Sequence, residues 1–192
     1  MTVSDDRPED MLRRRGEHPA IVMSGSGRVV TYAELDDRST RLARTFDAAG
    51  LQPGDHVALM LGNQPEFFDV LWAALRAGLY LTPINWHLGP EEAGYIIDDS
   101  GAQAFITSSD LADVAAGLLA DRPAVTTRLM TGDAIDGYDG FEDVLAAASG
   151  EPRVDERSGT FMLYSSGTTG YPKGIVRTLP RAPFGAGRDT IA

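Results

Sequence analysis

The sequence lacks cysteine altogether and contains a single lysine, Lys173, among its 192 residues. Without cysteine the chain can form no disulfide and no cysteine-based zinc site, and thiolate chemistry is excluded. Histidine is also scarce, and His18, His56 and His87 are scattered without metal-ligand spacing. We therefore assign no metal ligand and interpret the three histidines as surface or loop residues.

Positive charge and long apolar runs are scarce too. The net charge is −11 and the sequence pI is about 4.6, which disfavours nonspecific binding to nucleic acids or to anionic membranes. No stretch approaches the roughly 20 apolar residues of a membrane span. Residues 1–17 form a polar extension without the apolar core of a signal peptide. The sequence therefore predicts a cytoplasmic protein whose partners do not include nucleic acid.

The chain does contain enough apolar side chains for one sizeable core, since 43% of its residues are hydrophobic and 23% are charged. Apolar runs of strand length alternate with segments of helical periodicity, which indicates βαβ units. We predict an α/β fold in which helices flank a mostly parallel sheet. One domain is expected over residues 18–179, followed by an irregular tail over residues 180–192.

Local signals place the individual elements. Strands are predicted at residues 20–23, 28–31, 57–61, 79–84, 104–107, 127–130, 160–164 and 175–179. Helices are predicted at 32–49, 65–78, 90–101, 110–119 and 141–148. Thr31 and Glu34 form a capping-box pattern before the first helix, and Asn63 is predicted to cap the second. Residues 131–140 and 149–158 are expected to be surface loops.

The segment that directly follows the strand at 160–164 combines glycines, hydroxyl side chains and the lone lysine. Glycine adopts conformations closed to other residues and lets the backbone approach a ligand closely. Hydroxyl and backbone N–H groups in such a loop can form an anion-binding concavity, and a lysine can neutralise phosphate oxygens. The candidate nucleotide-binding residues are Ser165, Ser166, Gly167, Thr168, Thr169, Gly170 and Lys173.

Two common phosphate-binding motifs do not fit this segment. A Walker-type loop requires G-x-x-x-x-G-K-[ST], whereas here Pro172 precedes Lys173 and Gly174 follows it. A dinucleotide fingerprint requires G-x-G-x-x-G at the start of a helix, and this segment has neither the spacing nor the helix. A surface linker rich in Gly, Ser and Thr remains the alternative, and composition alone favours it.

The order of the residues favours a phosphate site over a linker. Residues 164–174, with the sequence YSSGTTGYPKG, closely resemble the phosphate-binding signature of the AMP-forming acyl-CoA synthetase family, also called the adenylate-forming or ANL superfamily. The segments TYAEL at 31–35 and GDHVA at 54–58, and the run from Asn63 to Asn85, are similar to that family as well. On this resemblance, residues 18–179 are a partial AMP-binding N-terminal domain of an adenylate-forming enzyme.

The sequence departs from the family after the signature. Leu179 stands at about the position where many relatives have a histidine. The segment from Leu179 to Gly185 is similar to a subset of bacterial fatty-acyl-CoA synthetases. Asp133 lies in a TGD triplet of the kind that relatives use to bind ribose, but it precedes the signature instead of following it. We therefore interpret Asp133 as part of a turn.

The resemblance implies an acid–thiol ligase reaction that uses ATP, Mg²⁺ and coenzyme A. A carboxylic acid, here a fatty acid, attacks the α-phosphate of ATP, and a thiol then takes the acyl group. Ser165, Ser166, Thr168 and Thr169 would donate hydrogen bonds to the β- and γ-phosphates, Gly167 and Gly170 would shape the loop, and Lys173 would add charge. The family's remaining catalytic groups lie beyond its signature, so no catalytic residue is assigned.

Two main hypotheses about the chain's function follow, and a third is added after them. In the first, it is the N-terminal part of an acyl-CoA ligase that contributes the phosphate-binding loop and is inactive alone. In the second, it is a truncated, non-catalytic homologue that acts as a binding or oligomerisation module through apolar surface, with Phe68 and Trp72 as candidates. A nucleotide-binding regulator is a third class. The acid that is activated cannot be named from these residues.

Overall fold

The computed structural model describes residues 15–118, 122–165 and 172–184. In these ranges the chain forms a two-stranded sheet and a seven-stranded sheet. The strands are β1 (Pro19–Val22), β2 (Val29–Thr31), β3 (His56–Leu59), β4 (Tyr80–Pro83), β5 (Ala102–Ser108), β6 (Thr127–Thr131), β7 (Asp139–Gly140), β8 (Thr160–Ser165) and β9 (Lys173–Val176). The helices are α1 (Tyr32–Ala48), α2 (Glu66–Arg76), α3 (Pro90–Ser100), α4 (Ala112–Gly117) and α5 (Phe141–Ala147), with a 3₁₀ turn at Ser109–Leu111.

The large sheet has the strand order β7-β6-β5-β3-β4-β8-β9. All neighbours from β7 to β8 are parallel, and only β9 is antiparallel to its neighbour β8. The predicted α/β fold with a mostly parallel sheet is therefore confirmed. The chain runs from β3 to β4 on one side and then returns to β5 on the other. Open α/β sheets bind ligands outside the carboxyl ends of the strands at such a reversal, here β3 and β5.

Apolar side chains cover both faces of this sheet, as parallel sheets require. Val57 and Leu59 of β3 join a cluster with α1, α2 and α5, while Ala58 and Met60 join a second cluster with α3 and α4. Successive residues of one strand thus alternate between two cores. None of the helices among the described residues is both long and apolar enough to cross a membrane.

The capping box predicted before the first helix is confirmed. The hydroxyl of Thr31 accepts a hydrogen bond from the backbone N–H of Glu34, and the Glu34 carboxylate accepts one from the backbone N–H of Thr31. Gly50, just past the end of α1, has a φ of 90°, which favours glycine. The predicted start at Pro90 and stop at Gly101 of α3 are also confirmed, with Gly101 in the left-handed conformation.

Four local predictions are wrong. The surface loop predicted at residues 131–140 contains β7 and the buried Tyr138, because this segment pairs with β6 and packs on the sheet. Asn63 does not cap α2, because the chain makes a tight turn in which the N–H of Phe67 bonds the carbonyl of Gln64, and Pro65 occupies the cap position without a side-chain bond. The helix predicted at 110–119 is split into the 3₁₀ turn and the shorter α4. The strand predicted at 175–179 lies at Lys173–Val176, because antiparallel pairing with β8 sets its bounds.

Charged side chains fasten α2 to the neighbouring helices. Arg76 is 1% exposed and forms ion pairs with Asp36 of α1 (2.6 Å) and with Glu156 (3.1 Å). Asp69 is 2% exposed and accepts a 2.8 Å hydrogen bond from Nε of Arg38, whose other nitrogens bond Glu142 of α5. Buried charges that are paired in this way hold the three helices in one arrangement on this face of the sheet.

Candidate phosphate-binding site

The residues that flank the predicted phosphate segment form an antiparallel hairpin at the carboxyl edge of the sheet. Ser165 ends β8 and Lys173 begins β9, and the two residues are register partners. Both side chains are exposed. Among the described residues, no carboxylate forms an ion pair with Lys173. The hairpin therefore brings together the first and last residues of the predicted site, with an available positive charge at its open end.

The remaining predicted site residues lie outside the described part of the chain. These are Ser166, Gly167, Thr168, Thr169 and Gly170. Their position in the sequence makes them the connection between β8 and β9. Because β8 runs parallel to β3, β4, β5 and β6, it ends at the edge of the sheet where those strands also have their carboxyl ends. This is the edge that binds ligands in open α/β sheets.

The loop end of the hairpin extends beyond the main sheet. β8 pairs with β4 only at Thr160 and Phe161, whereas its last four residues pair only with β9. The reason lies in β4. The N–H of Ile84 donates to a carbonyl of β3. Because successive backbone N–H groups of a strand point to opposite sides, the nitrogen of the preceding residue, Pro83, points towards β8, and proline has no N–H to donate. The parallel ladder therefore stops before the hairpin reaches its loop end.

Side-chain contacts hold the hairpin where this ladder has stopped. The hydroxyl of Tyr164 donates a 2.6 Å hydrogen bond to the Asp99 carboxylate in the last turn of α3. Burial, and next the hydrogen bond to Asp99, raise the pKa of Tyr164 above its ordinary value, so the hydroxyl keeps its proton. At the other end of β9, the hydroxyl of Tyr80 donates to the carbonyl of Arg177 (2.8 Å).

A cavity of about 560 Å³ lies at the same edge, beside the carboxyl ends of β3 and β4. Aromatic rings and side-chain amides line it, namely Phe67, Phe68, Trp86, Asn63, Gln64 and Asn85. The amide of Gln64, which follows β3, also donates to the hydroxyl of Thr131 at the end of β6 (3.0 Å). None of the described residues that line the cavity is charged, so it does not suit the phosphates of ATP.

The histidines and Asp133 lie apart from this hairpin. The interpretation of His56 as a surface or loop residue is wrong, because it begins β3 and stacks on Tyr80 with 4.6 Å between ring centroids. Burial lowers the pKa of its imidazole. The ring of His87 lies against Trp86. Within the described ranges there is no group of three or more His, Asp or Glu residues that could hold a metal ion. Asp133 follows Gly132, whose φ is 78°, in a bend after β6, so the predicted turn is confirmed.

The sequence as a whole matches the family described as AMP-binding enzyme over residues 9–182. This chain belongs to the AMP-binding enzyme family. It is 35% identical over 176 residues to the long-chain-fatty-acid–CoA ligase FadD13 of Mycobacterium tuberculosis, covering 88% of this chain and 34% of that protein. It is 36% identical over 168 residues to the feruloyl-CoA synthase of an Amycolatopsis species, covering 86% and 31%.

A solved fatty acyl CoA synthetase of Mycobacterium tuberculosis has the same fold over the shared region. The TM-score is 0.72 with 28% identity, and the match covers 88% of this chain and 34% of that one. The relatives that match most of this chain are thus acyl-CoA ligases, and the resemblance to the adenylate-forming family that was predicted from the sequence is confirmed. The chain spans about a third of the length of the curated relatives that it matches.

Sequence reasoning missed two features of the site. The partnership of Tyr164 with Asp99 joins residues 65 positions apart, and no local pattern signals such a contact. The uncharged cavity was missed because Phe68 was considered only as apolar surface for association, and no local pattern brings Phe67 and Phe68 together with Asn85 and Trp86. The run from Asn63 to Asn85, already noted for its resemblance to the family, contains most of the residues that line it.

Proposed function

We propose that this chain supplies the ATP phosphate-binding segment of an acyl-activating CoA ligase. The observation that carries the proposal is the β8–β9 hairpin, which places Ser165 and the exposed Lys173 side by side at the carboxyl edge of the sheet. The uncharged cavity beside β3 and β4 offers no competing place for a triphosphate. Membership of the AMP-binding enzyme family supports ATP as the nucleotide.

The roles of the individual residues follow from their chemistry. The ammonium group of Lys173 would pair with phosphate oxygens as a point charge, and the hydroxyl of Ser165 would donate a hydrogen bond. Ser166, Thr168 and Thr169 would add hydroxyl donors. Gly167 and Gly170 would let backbone N–H groups approach the phosphates.

Mg²⁺ and the thiol of coenzyme A would also be needed for the reaction. Mg²⁺ would arrive bound to ATP, since the described residues contain no cluster of carboxylates to hold it. Coenzyme A would take the acyl group in the second half-reaction, as the names of the CoA-ligase relatives suggest. The acid would be a carboxylic acid of the fatty or aromatic kind that those names also indicate.

Calorimetry with MgATP and the 192-residue chain tests the phosphate site. Replacing Lys173 with glutamine should weaken binding about tenfold, because one charge–phosphate pair is lost. Arg181→Gln is the matched control, because it removes the same charge from an exposed residue at the amino edge of the sheet. Equal weakening by both variants, or no heat with the native chain, would contradict the proposal.

A second measurement addresses turnover. The chain spans about a third of each relative, so we propose that it binds ATP without completing acyl activation. Pyrophosphate release from ATP, Mg²⁺ and a panel of fatty and aromatic acids should stay at the level of a blank. Turnover clearly above the blank would show that this chain alone has a complete active site.

The non-catalytic binding or oligomerisation module is a second candidate, and one observation favours it. The edge strand β9 is exposed along its length, and Leu163, Ile175 and Val176 of the hairpin are 46%, 55% and 57% exposed. Apolar side chains on an exposed strand edge favour association with another chain. Two copies of this chain would bury this surface against each other, and self-association is the measurement that separates this candidate from the first.

A further inference from the structure

The hairpin that carries the proposed phosphate segment is weakly attached to the sheet on its loop side. β8 loses its parallel partner after Phe161, because Pro83 offers no N–H at the next pairing position. Beyond that point, among the described residues, the backbone of β8 pairs only with β9, which is itself the exposed edge strand. Some other contact must therefore fix the position of Ser165 and Lys173 relative to the rest of the fold.

The side chain of Tyr164 makes such a contact. It lies on the face of β8 that packs against the cluster under α3 and α4, one residue before the end of the strand. Its hydroxyl donates a 2.6 Å bond to Asp99, which belongs to α3 and not to the hairpin. The bond is exposed to solvent, which weakens it, but hydrogen bonds to a carboxylate are among the stronger ones in proteins. The contact therefore links the loop end of the hairpin to a helix in the body of the domain.

The opposite strand makes room for this ring. Gly174 is the register partner of Tyr164, and a Cβ built on Gly174 would lie 3.2 Å from the Cζ and hydroxyl oxygen of Tyr164. Any larger residue at this position would press on the phenol ring and on the end of Met162. The glycine in β9 thus leaves space for the Tyr164 ring, and the acceptor in α3 fixes the position of its hydroxyl.

Asp99 is badly placed for the stability of its own helix. It lies in the last turn of α3, where the helix dipole disfavours negative charge, and this turn contains no basic residue. The neighbouring Asp98 is compensated by an ion pair with Arg122 (3.0 Å). For Asp99 the compensating contact is the hydroxyl of Tyr164. Because Asp99 is unfavourable for α3 and bonds a residue of the hairpin, we infer that its role lies outside the helix.

We propose that Asp99 is a positioning residue that acts through Tyr164 to hold the phosphate-binding end of the β8–β9 hairpin against α3. This inference rests on the proposed function for the identity of the ligand, but its structural part stands separately. Tyr164 and Asp99 do not touch the nucleotide. Their bond fixes where Ser165 and Lys173 lie, so that less ordering is needed when ATP binds.

Amide hydrogen exchange on the full 192-residue chain tests the structural part. Tyr164→Phe removes only the hydroxyl, and it should speed exchange at least severalfold in the ladder amides nearest Ser165 and Lys173. Tyr80→Phe is the matched control, since it removes the hydroxyl that bonds the carbonyl of Arg177 at the other end of β9. That variant should speed exchange near Val176 and leave the loop end unchanged. Unchanged exchange near Lys173 in Tyr164→Phe would overturn the proposal.

MgATP affinity, measured by calorimetry, tests the positioning part. Tyr164→Phe and Asp99→Ala should each weaken binding about tenfold, and Asp99→Asn should recover part of the loss, because its carbonyl oxygen still accepts a hydrogen bond. Tyr80→Phe should bind like the native chain. If Tyr164→Phe loosens the hairpin but binds MgATP with native affinity, the positioning role is wrong. If the native chain does not bind MgATP, the proposed function fails while the exchange result still decides the anchor.

Discussion

At the scale of single residues, the most consequential feature is the buried guanidinium of Arg76. Besides its ion pairs with Asp36 and Glu156, it donates hydrogen bonds to the hydroxyls of Ser39 and Thr40 and to the backbone carbonyl of Asp36. Burial of this charge is tolerated because two carboxylates pair with it and three oxygen atoms of α1 accept hydrogen bonds from it. Removing one ionic partner leaves part of that charge uncompensated.

We expect Asp36→Ala to lower the free energy of unfolding by about 2 kcal/mol, because it removes one of the two ionic partners of the buried Arg76 guanidinium, although Asp36 itself is 29% exposed. Asp37→Ala is the matched control in the same helix. Asp37 is 49% exposed and pairs with Arg41 one turn away, so its loss should cost below about 1 kcal/mol. Urea unfolding monitored by circular dichroism gives both values. Similar costs for the two variants would show that Arg76 does not depend on Asp36.

The buried carboxyl of Asp69 should make the free energy of unfolding depend on pH. Burial raises its pKa from the ordinary 3.8 to about 6, against the opposing effect of Arg38. Between these two values the folded chain binds a proton that the unfolded chain does not, so stability falls as pH rises through this window. A pKa difference of about 2 corresponds to about 3 kcal/mol.

The measurement compares the native chain with Asp69→Asn. Glu34 and Glu142 have lowered pKa values, so their contribution to stability rises with pH, and the comparison cancels it because both proteins contain these residues. The free energy of unfolding of the native chain, relative to the variant, should drop by about 2 kcal/mol from pH 4 to pH 7, the remainder of the effect falling below pH 4. Urea titrations at unit pH steps suffice. Parallel curves would mean that the pKa of Asp69 is not raised in the folded state.

The sequence did not reveal either of these buried charges. Arg76 closes an apolar helix and has the pattern of an ordinary basic residue near a helix C-terminus. Its partners Asp36 and Glu156 lie 40 and 80 positions away along the chain. Local periodicity cannot detect contacts of that separation, whereas the capping pair of Thr31 and Glu34, three positions apart, was predictable because both halves lie in one helix turn.

At the scale of elements, the junction between α2 and β8 has no free space. Gly159 precedes β8, and its N–H bonds the carbonyl of Leu75 at 2.7 Å. A Cβ on Gly159 would lie 2.4 Å from the carbonyl oxygen of Leu79 and 2.7 Å from that of Ala74. These are backbone atoms, which cannot move aside as the end of a side chain can. β8 can therefore enter the sheet here only with glycine at this position.

Gly159→Ala should destabilise the chain by about 3 kcal/mol or more, because the added methyl group forces the backbone of β8 away from α2. Gly25→Ala is the control, since a Cβ there meets no atom within 4 Å and the backbone does not have a positive φ. Thermal unfolding should show a clear loss for the first variant and little change for the second. A stable Gly159→Ala protein would imply that β8 can shift along α2 without cost.

Most elements were predictable because their signals are local. α1 and α3 have capping patterns and glycine stops, and β3 and β4 are apolar runs between turns. The hairpin of β8 and β9 was not predicted as a pair, although a strand was expected on each side of the loop. The parallel ladder between β4 and β8 ends at Pro83 of β4, and β8 then pairs only with β9 among the described residues. Nothing in the sequence of residues 160–176 indicates where that ladder ends.

At the scale of the whole molecule, charge and exposed apolar surface act in opposite directions. The net charge of −11 keeps copies of the chain apart, and salt screens this repulsion. The sheet, however, ends in β9, an edge strand whose free side can pair with another strand. Ile175 is the register partner of Leu163, and the two form an apolar pair on one face of that edge.

We expect the native chain to self-associate at concentrations of tens of micromolar and above, and more strongly at high salt, because screening removes the opposing charge effect. Ile175→Lys should weaken this association about tenfold or more, since a lysine on an edge strand blocks pairing. Val154→Lys adds the same charge at a side chain that is 97% exposed in a loop, and it serves as the control. Sedimentation velocity measures all three chains. A monomer at every concentration and salt level, or equal weakening by both lysines, would exclude β9 as the associating edge and would leave ATP binding at the hairpin as the function to pursue.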